Sequence, residues 1–519
     1  MSRTRRRALG GRVCGKGHTD KEAAFLAAAW ERVQALWAEC SDIQRAAAVL
    51  EWDQLVNMPA GGAEARGTQL ATLRRLAHAR LTSGAMAEAL ADAASDAAAD
   101  PAWLRAAHRL HDREATVPAE LVEERSRAGT AGYMAWAEAR AQRSFAVFAP
   151  ALQRVLDLTR RYADAVGWTG QRYDALLSGH EPGIDAARVR AIFAELTATI
   201  VPLVAAIAER PPLSRQPFLQ ALPRDGQLAA GIDAIAAFGY DFARGRQDFS
   251  IHPFSTSFGP GDCRITTRVQ DDDFAVGFFA TLHEAGHALY EQGLPAAASR
   301  GALGEACSTG VHESQSRLWE NAVGRSLAFW EWFMPRLRGH LPGRFDAYGA
   351  ADLYRAANVV RPSAIRVEAD EVTYNLHVAL RFDLEQRLLS GDLPVADLPA
   401  AWNAGMEHLL GVRPVDDLEG VLQDVHWSDG GLGYFPSYTL GNVLSAQWME
   451  QAAAELGDLP GMIRRGGFGP LLGFLHTRIH QRGAGPTPDE LAAEVTGRPI
   501  DTAPYLRYLR EKYGALYGL

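Results

Sequence analysis

Apolar residues recur at helical spacing along most of the chain. From about Asp20 to Val56 the sequence is Ala-rich with few breakers, and Met58-Pro59-Ala60-Gly61-Gly62 reads as a helix stop and loop. Further helices are expected over residues 63–98, over 101–111, from Pro118 past Ala128 with Gly129 and Gly132 offering a break, and over 135–166. Another starts at Asp185 and ends at Arg210-Pro211-Pro212. Between Phe249 and Val269 the pattern turns to β: SIHPFSTSF and CRITTRV flank the turn Gly259-Pro260-Gly261-Asp262 and read as a hairpin. After Pro295 helical spacing returns, broken at Pro335, Pro342, Pro362, Gly391 and Pro414. Residues 430–441 read as a loop rich in Gly and aromatics, and the chain is helical again from Val443. There is neither a fixed-period repeat nor a low-complexity linker. The expected fold class is mostly α: a disordered arm over residues 1–18, then one large helical domain over 19–519 with two lobes around a cleft and a small β-hairpin beside it.

Composition narrows the function more than the fold. At 519 residues, 47% hydrophobic and 22% charged, this is ordinary globular material. With 53 Lys and Arg against 62 Asp and Glu, the net charge of −9 argues against a nucleic-acid partner. Cys14, Cys40, Cys263 and Cys307 lie far apart with no C-x-x-C pair, which points to a reducing, cytoplasmic setting. The basic N-terminus has no apolar stretch behind it, so no secretory signal is read, and no run of 18 apolar residues suggests a membrane span.

The chemistry concentrates in Phe274 to Gly293, FAVGFFATLHEAGHALYEQG. Asp271, Asp272 and Asp273 supply an N-cap and favourable charge at the start of a helix, and Gly293 and Pro295 end it. His283 and His287, four apart, lie on one face, and Glu284 is one step round. This is the H-E-x-x-H zinc peptidase arrangement, with two His ligands and a Glu placed to take a proton from water. Three polar groups in so apolar a helix are costly unless something binds them. A catalytic zinc needs a third ligand. Glu313, 26 residues after His287 in a helix capped by Ser308 or Thr309, is the candidate, with Glu305 and His312 competing.

Four further motifs stand with this one: Asp262-Cys263-Arg264-Ile265-Thr266, His312-Glu313-Ser314-Gln315, Ile365-Arg366-Val367-Glu368-Ala369-Asp370 and Gly420-Val421-Leu422-Gln423-Asp424-Val425-His426-Trp427. In these five motifs and their order, the chain resembles the carboxypeptidase Taq family of zinc metallocarboxypeptidases. The N-terminal Glu51-Trp52-Asp53 and Met58-Pro59 segments are similar too, and the likeness covers roughly residues 20 to 519. The resemblance implies a helical fold with a deep cleft, similar to neurolysin and angiotensin-converting enzyme. It also implies a homodimer, zinc with cobalt able to substitute, and release of single C-terminal residues with broad preference and Pro disfavoured. The third ligand would be Glu313.

The other motifs have physical readings of their own. Asp262, Arg264 and Thr266 alternate on one strand face, which serves either to pair substrate along an exposed edge or to pin the hairpin by an Asp–Arg contact. Arg366, Asp370, Tyr374 and His377 are read on one helix, where Arg366 either pairs with Asp370 or binds the substrate's terminal carboxylate; the resemblance favours the latter. His426 and the loop of Tyr434 and Tyr438 resemble the oligopeptidase loop that carries donors to the oxyanion, with Tyr434 favoured over Tyr438. The expected catalytic set is Glu284, His426 and Tyr434, with Arg366, Tyr438 and Arg264 binding substrate. An oligopeptidase or dipeptidyl carboxypeptidase on the same site, and a non-catalytic peptide-binding helical protein, are the alternatives.

Overall fold

The computed structural model describes the backbone of residues 16–519 and the side chains of residues 29–519. Residues 1–15 lie outside it, and with them most of the arm expected over residues 1–18. The rest is mostly helical, with one small sheet. The first helix spans Lys16–Val56 and stops at the Pro59 turn, as its breakers predict.

Several expected helix limits shift, each for a local reason. The stretch over 63–98 is two helices, Ala63–Leu81 and Gly84–Ala93, because Ser83 caps the second by accepting from Met86 N. The helix Ala119–Gln142 runs through Gly129 and Gly132 without a break. Those glycines are contact points: a Cβ at Gly132 would sit 2.0 Å from the Ser428 carbonyl oxygen. The break falls instead at Arg143, which takes left-handed backbone (φ 53) and pairs with Asp416, and Phe145–Val166 follows. The chain is helical from Pro436, not Val443, so Tyr438 lies in a helix's first turn.

Residues 247–267 form a three-stranded sheet, β1 (Gln247–Phe249), β2 (Ser255–Ser257) and β3 (Cys263–Thr267), in the order β1-β3-β2. The expected hairpin is β2–β3, antiparallel with Ser257 opposite Cys263. β1, parallel to β3, was not expected, and it makes β3 the central strand. The strand carrying Arg264 is therefore not an edge open to substrate.

Among the described residues, apolar side chains collect in one large core running from Ala139 to Tyr517, a smaller one built by the N-terminal helices, and a minor cluster of Val117, Leu121 and Leu158. The smaller core holds Val33, Trp37, Leu90 and Trp103 and meets the rest of the chain at Ala302. The helix Ala186–Ala208 is long and apolar enough to cross a membrane by length and composition, although Arg188, Arg190 and Glu195 interrupt its apolar run; Ile192, Leu196 and Ile200 on it belong to the large core. Three helices of the large core approach closely at glycines. A Cβ at Gly286 would meet Ser316 Cα at 2.6 Å, and one at Gly441 would meet Glu313 Cγ at 2.5 Å. The helix bearing Glu313 is thus held between its neighbours at nearly backbone distance.

Candidate active site

The helix Phe274–Gly293 starts where Asp273 accepts from Ala275 N, and its His283 and His287 rings lie 5.0 Å apart on one face. A second helix, Thr309–Arg317, is capped by Ser308, which accepts from Val311 N, and delivers Glu313. Glu313 Oε2 is 3.3 Å from His287 Nε2 and 3.8 Å from His283 Nε2. One donor atom from each residue lies within 4.8 Å of the other two. Two imidazoles and a carboxylate converging in this way fit a tetrahedral divalent cation with one open position. Glu305 is exposed and not in the group, and His312 is turned elsewhere.

The remaining nitrogens of both histidines are taken up behind the site. His283 Nδ1 is 2.9 Å from Glu320 Oε2. His287 Nδ1 is 2.6 Å from His312 Nδ1, and His312 Nε2 is 2.9 Å from Glu291 Oε1. Both Nδ1 atoms are thereby set as N–H donors and both Nε2 atoms left free to ligate, an arrangement that raises ligand basicity. Glu320 lies in a π-helical stretch, Leu318–Gly324, a deviation common at functional sites. Arg317 Nε donates to Glu313 Oε1 at 2.6 Å.

The local electrostatics split the carboxylates. Burial acts to raise Glu313, but Arg317, His283 and His287 hold it well below the usual range, so it stays an anion. Burial lifts Glu284 to about 7; His283 opposes that rise and the Glu313 and Glu320 carboxylates add to it. Burial also lowers His287 to about 4, keeping it a neutral ligand.

These groups line a cleft of about 2620 Å³. His426, Tyr434 and Tyr438 line it too, with His426 Nε2 3.5 Å from the Tyr438 hydroxyl and the two tyrosine rings 5.2 Å apart. Burial, then Glu313, raises Tyr434 to about 12, so its hydroxyl remains a donor. Burial lowers His426 to about 4. Glu385 pins this loop from the helix Tyr374–Ser390, accepting from Trp427 Nε1 at 2.7 Å and from Gly433 N at 3.1 Å.

Arg366 departs from its expected setting. It lies in a 3-10 turn, Arg366–Glu368, and the helix bearing Tyr374 and His377 begins only at Tyr374. Asp370 is not its partner: that carboxylate caps the following turn through Val372 N and Thr373 N. Arg366 instead gives Nε and Nη2 to Asp424 Oδ1, at 3.0 and 2.7 Å, and Nη1 to the Tyr374 hydroxyl at 2.8 Å. Arg381, fully buried, shares Asp424 through Oδ2. Arg264 pairs with Asp262 and stacks 4.3 Å from the Trp52 ring, and it is not among the cleft-lining residues. Of the two hairpin readings, the Asp–Arg contact is the one observed.

A family model described as carboxypeptidase Taq (M32) metallopeptidase matches residues 32–513. The chain belongs to the M32 family. It is 42% identical over 511 residues to thermostable carboxypeptidase 1 of Thermus thermophilus, spanning 95% of this chain and 99% of that protein. Against carboxypeptidase 1 of Bacillus subtilis the identity is 34% over 484 residues, 92% and 97% of the two chains. The solved M32 carboxypeptidase of Deinococcus radiodurans superposes with a TM-score of 0.93 at 42% identity, covering 95% of this chain and 100% of that one. The protein is therefore an M32 metallocarboxypeptidase, a peptide hydrolase with a His-His-Glu site for its metal. Within this M32 site, sequence reasoning missed Glu320, Glu291, Arg381 and Glu385. Glu291 left a signal, four residues after His287 on the same helix, and Glu320 a weaker one, seven residues after Glu313.

Proposed function

We propose that the chain is a zinc exopeptidase, with cobalt able to substitute, that removes one C-terminal residue at a time with broad preference and poor release of Pro. His283, His287 and Glu313 would hold the metal, and the two fixed Nδ1–H groups support this assignment. When bound, zinc supplies Lewis-acid polarisation of the scissile carbonyl and lowers the pKa of water. Glu284 takes the proton of the attacking water and returns it to the leaving nitrogen. Tyr434 and His426 donate toward the oxygen that gains charge, and Tyr438 contacts substrate beside them. Buried thiols at Cys40, Cys263 and Cys307, all free, support a reducing, cytoplasmic compartment. The homodimer rests on family resemblance, and light scattering tests it.

The observation that supports recognition of a free C-terminus is the charge balance at Arg366. Two buried guanidiniums, Arg366 and Arg381, share the one carboxylate of Asp424. Glu385, near Arg381, is raised by burial to about 7 and is turned to Tyr173, Trp427 and Gly433. That end of the cleft favours an anion, which a peptide's C-terminus provides. Amidating the C-terminus of a short peptide should lower kcat/KM at least about tenfold, the cost of one charge-assisted contact. Arg366→Ala should lower activity on the free acid and much less on the amide. If amide and acid are cut equally well, the exopeptidase reading fails. If amidation matters but Arg366→Ala leaves its effect intact, the anchor is another cation. Arg268 and Arg361 are the next to test: both are exposed in the cleft, and their guanidiniums have no carboxylate partner among the described residues.

A further inference from the structure

A ladder of aromatic rings runs along one wall of the cleft. Tyr374 and Tyr438 stand edge to face at 6.0 Å, Tyr438 and Tyr434 at 5.2 Å, and Tyr434 and His180 at 5.2 Å. All four line the cleft. Among the described residues no aromatic contact joins Tyr374 to Tyr434 or Tyr438 to His180, so the rungs follow in that order. Cations flank the Tyr374–Tyr438 end: Arg317 lies 4.6 Å from the Tyr374 ring centroid, and Arg366 lies 5.1 Å from that of Tyr438 and 5.8 Å from that of Tyr374. Tyr434 stands beside Glu313, and His180 is the rung beyond it, away from Arg366.

His180 is placed firmly. Its carbonyl accepts from Thr309 N at 3.0 Å, and the neighbouring Glu181 carboxylate accepts from Gly310 N at 2.5 Å. The imidazole is thus tied to the first turn of the helix that delivers Glu313. It is half-buried, and its ring nitrogens bond no protein group among the described residues. Burial, with Arg113 nearby, holds it to about 4, so at neutral pH it offers one N–H and one lone pair to the cleft.

We propose that His180 is a substrate-binding residue that hydrogen-bonds the peptide group on the N-terminal side of the residue whose carbonyl is attacked. The direction rests on the reading that the Arg366 end receives the C-terminus. A step of 5.2 Å beyond Tyr434 is roughly one to two residues of extended chain, which places His180 beside that peptide group. A neutral imidazole can serve either the N–H or the C=O of any peptide bond there, so the contact suits an enzyme with little side-chain preference on that side.

The test compares wild type with His180→Phe, which keeps the ring packing on Tyr434, and His180→Gln, which keeps a donor and an acceptor. Three probes are used: an N-acetyl dipeptide, its analogue with hydrogen in place of the acetamido group, and the free amino acid product as an inhibitor. Metal content is measured in each variant. His180→Phe should lower kcat/KM on the acetyl dipeptide roughly three- to tenfold, mostly through KM, while the analogue and the amino acid's Ki change little; His180→Gln should recover part of the loss. Equal losses on acetyl dipeptide and analogue, or no loss on either, overturn the proposal. A weakened Ki for the free amino acid with the acetyl dipeptide unaffected also overturns it, and shows that the cleft runs the other way.

Discussion

Glu284 and Glu313 lie in one cluster yet are driven in opposite directions. Burial raises Glu284 to about 7, while Arg317 and the two histidines keep Glu313 ionised. One carboxyl is placed to exchange a proton and the other to stay charged against a cation. Glu284→Gln should therefore keep full metal content and lose at least about a hundredfold in kcat, within the range of about 10²–10⁴ for a proton-transfer group. A loss under about tenfold with metal retained excludes Glu284 as the base. Glu313→Ala should be purified metal-poor and Glu305→Ala metal-replete, because only the former belongs to the donor group. Elemental analysis of both proteins checks this, and full zinc in Glu313→Ala sinks the ligand assignment. The ligand-forming residues were legible because helical spacing alone puts His283 and His287 on one face. The groups behind them were not: Glu291 reaches His287 only through His312, and Arg381 matters only because the fold brings Asp424 between it and Arg366.

At the scale of elements, helices and their caps were legible where a side chain closes the first turn, as at Asp273, Ser308 and Asp185. Breaks were misread where glycine serves a neighbour, as Gly132 does for Ser428, because a sequence does not say what approaches it. Arg366 was misplaced for a related reason: Asp370 bonds three backbone N–H groups, which ends one turn and starts another helix. Glu181 shows an element-level dependence that no motif announces. It is fully buried beside the first turns of two helices: its carboxylate accepts from Gly310 N, and the Ser308 and Ser437 hydroxyls lie against it. Burial outweighs these contacts and raises it from 4.5 to about 7. Between those values the folded chain holds a proton that the unfolded chain has released, so this group's contribution to stability is lost as pH rises and levels off above about 7. Glu181→Gln has no such proton and keeps the acceptor for Gly310. Relative to wild type, the variant should gain roughly 1–3 kcal/mol between pH 5 and pH 8 in urea unfolding. An unchanged difference at the two pH values contradicts the shift.

The described residues form one large core and two smaller ones, and the cleft draws on the large core and on the one built by the N-terminal helices. Trp37, Arg109 and Arg113 on its wall come from the N-terminal helices, whereas every metal-site residue comes from the large core region. The N-terminal core is tied to the rest at Ala302, Leu303 and Ala484, by Arg109 to the Ala484 and Gly485 carbonyls, by Arg45 to the Ser299 carbonyl, by the surface pair Arg300–Asp42 and by Arg264 on Trp52. Few buried apolar contacts mean a low local opening free energy. Amide hydrogens in Ala63–Leu81 and Gly84–Ala93 should exchange with lower protection than those in Phe274–Gly293, and equal protection in both would show a single cooperative unit. On gentle heating the enzyme should then pass through a state that has lost one wall of its cleft but not its metal. Such a protein is inactive yet intact where the chemistry is assembled, and cooling restores it without any need to reload the ion. Heat tolerance would be set by how well a small N-terminal cap stays seated, and a few substitutions under Trp37 and Trp103 would shift it without touching the catalytic machinery.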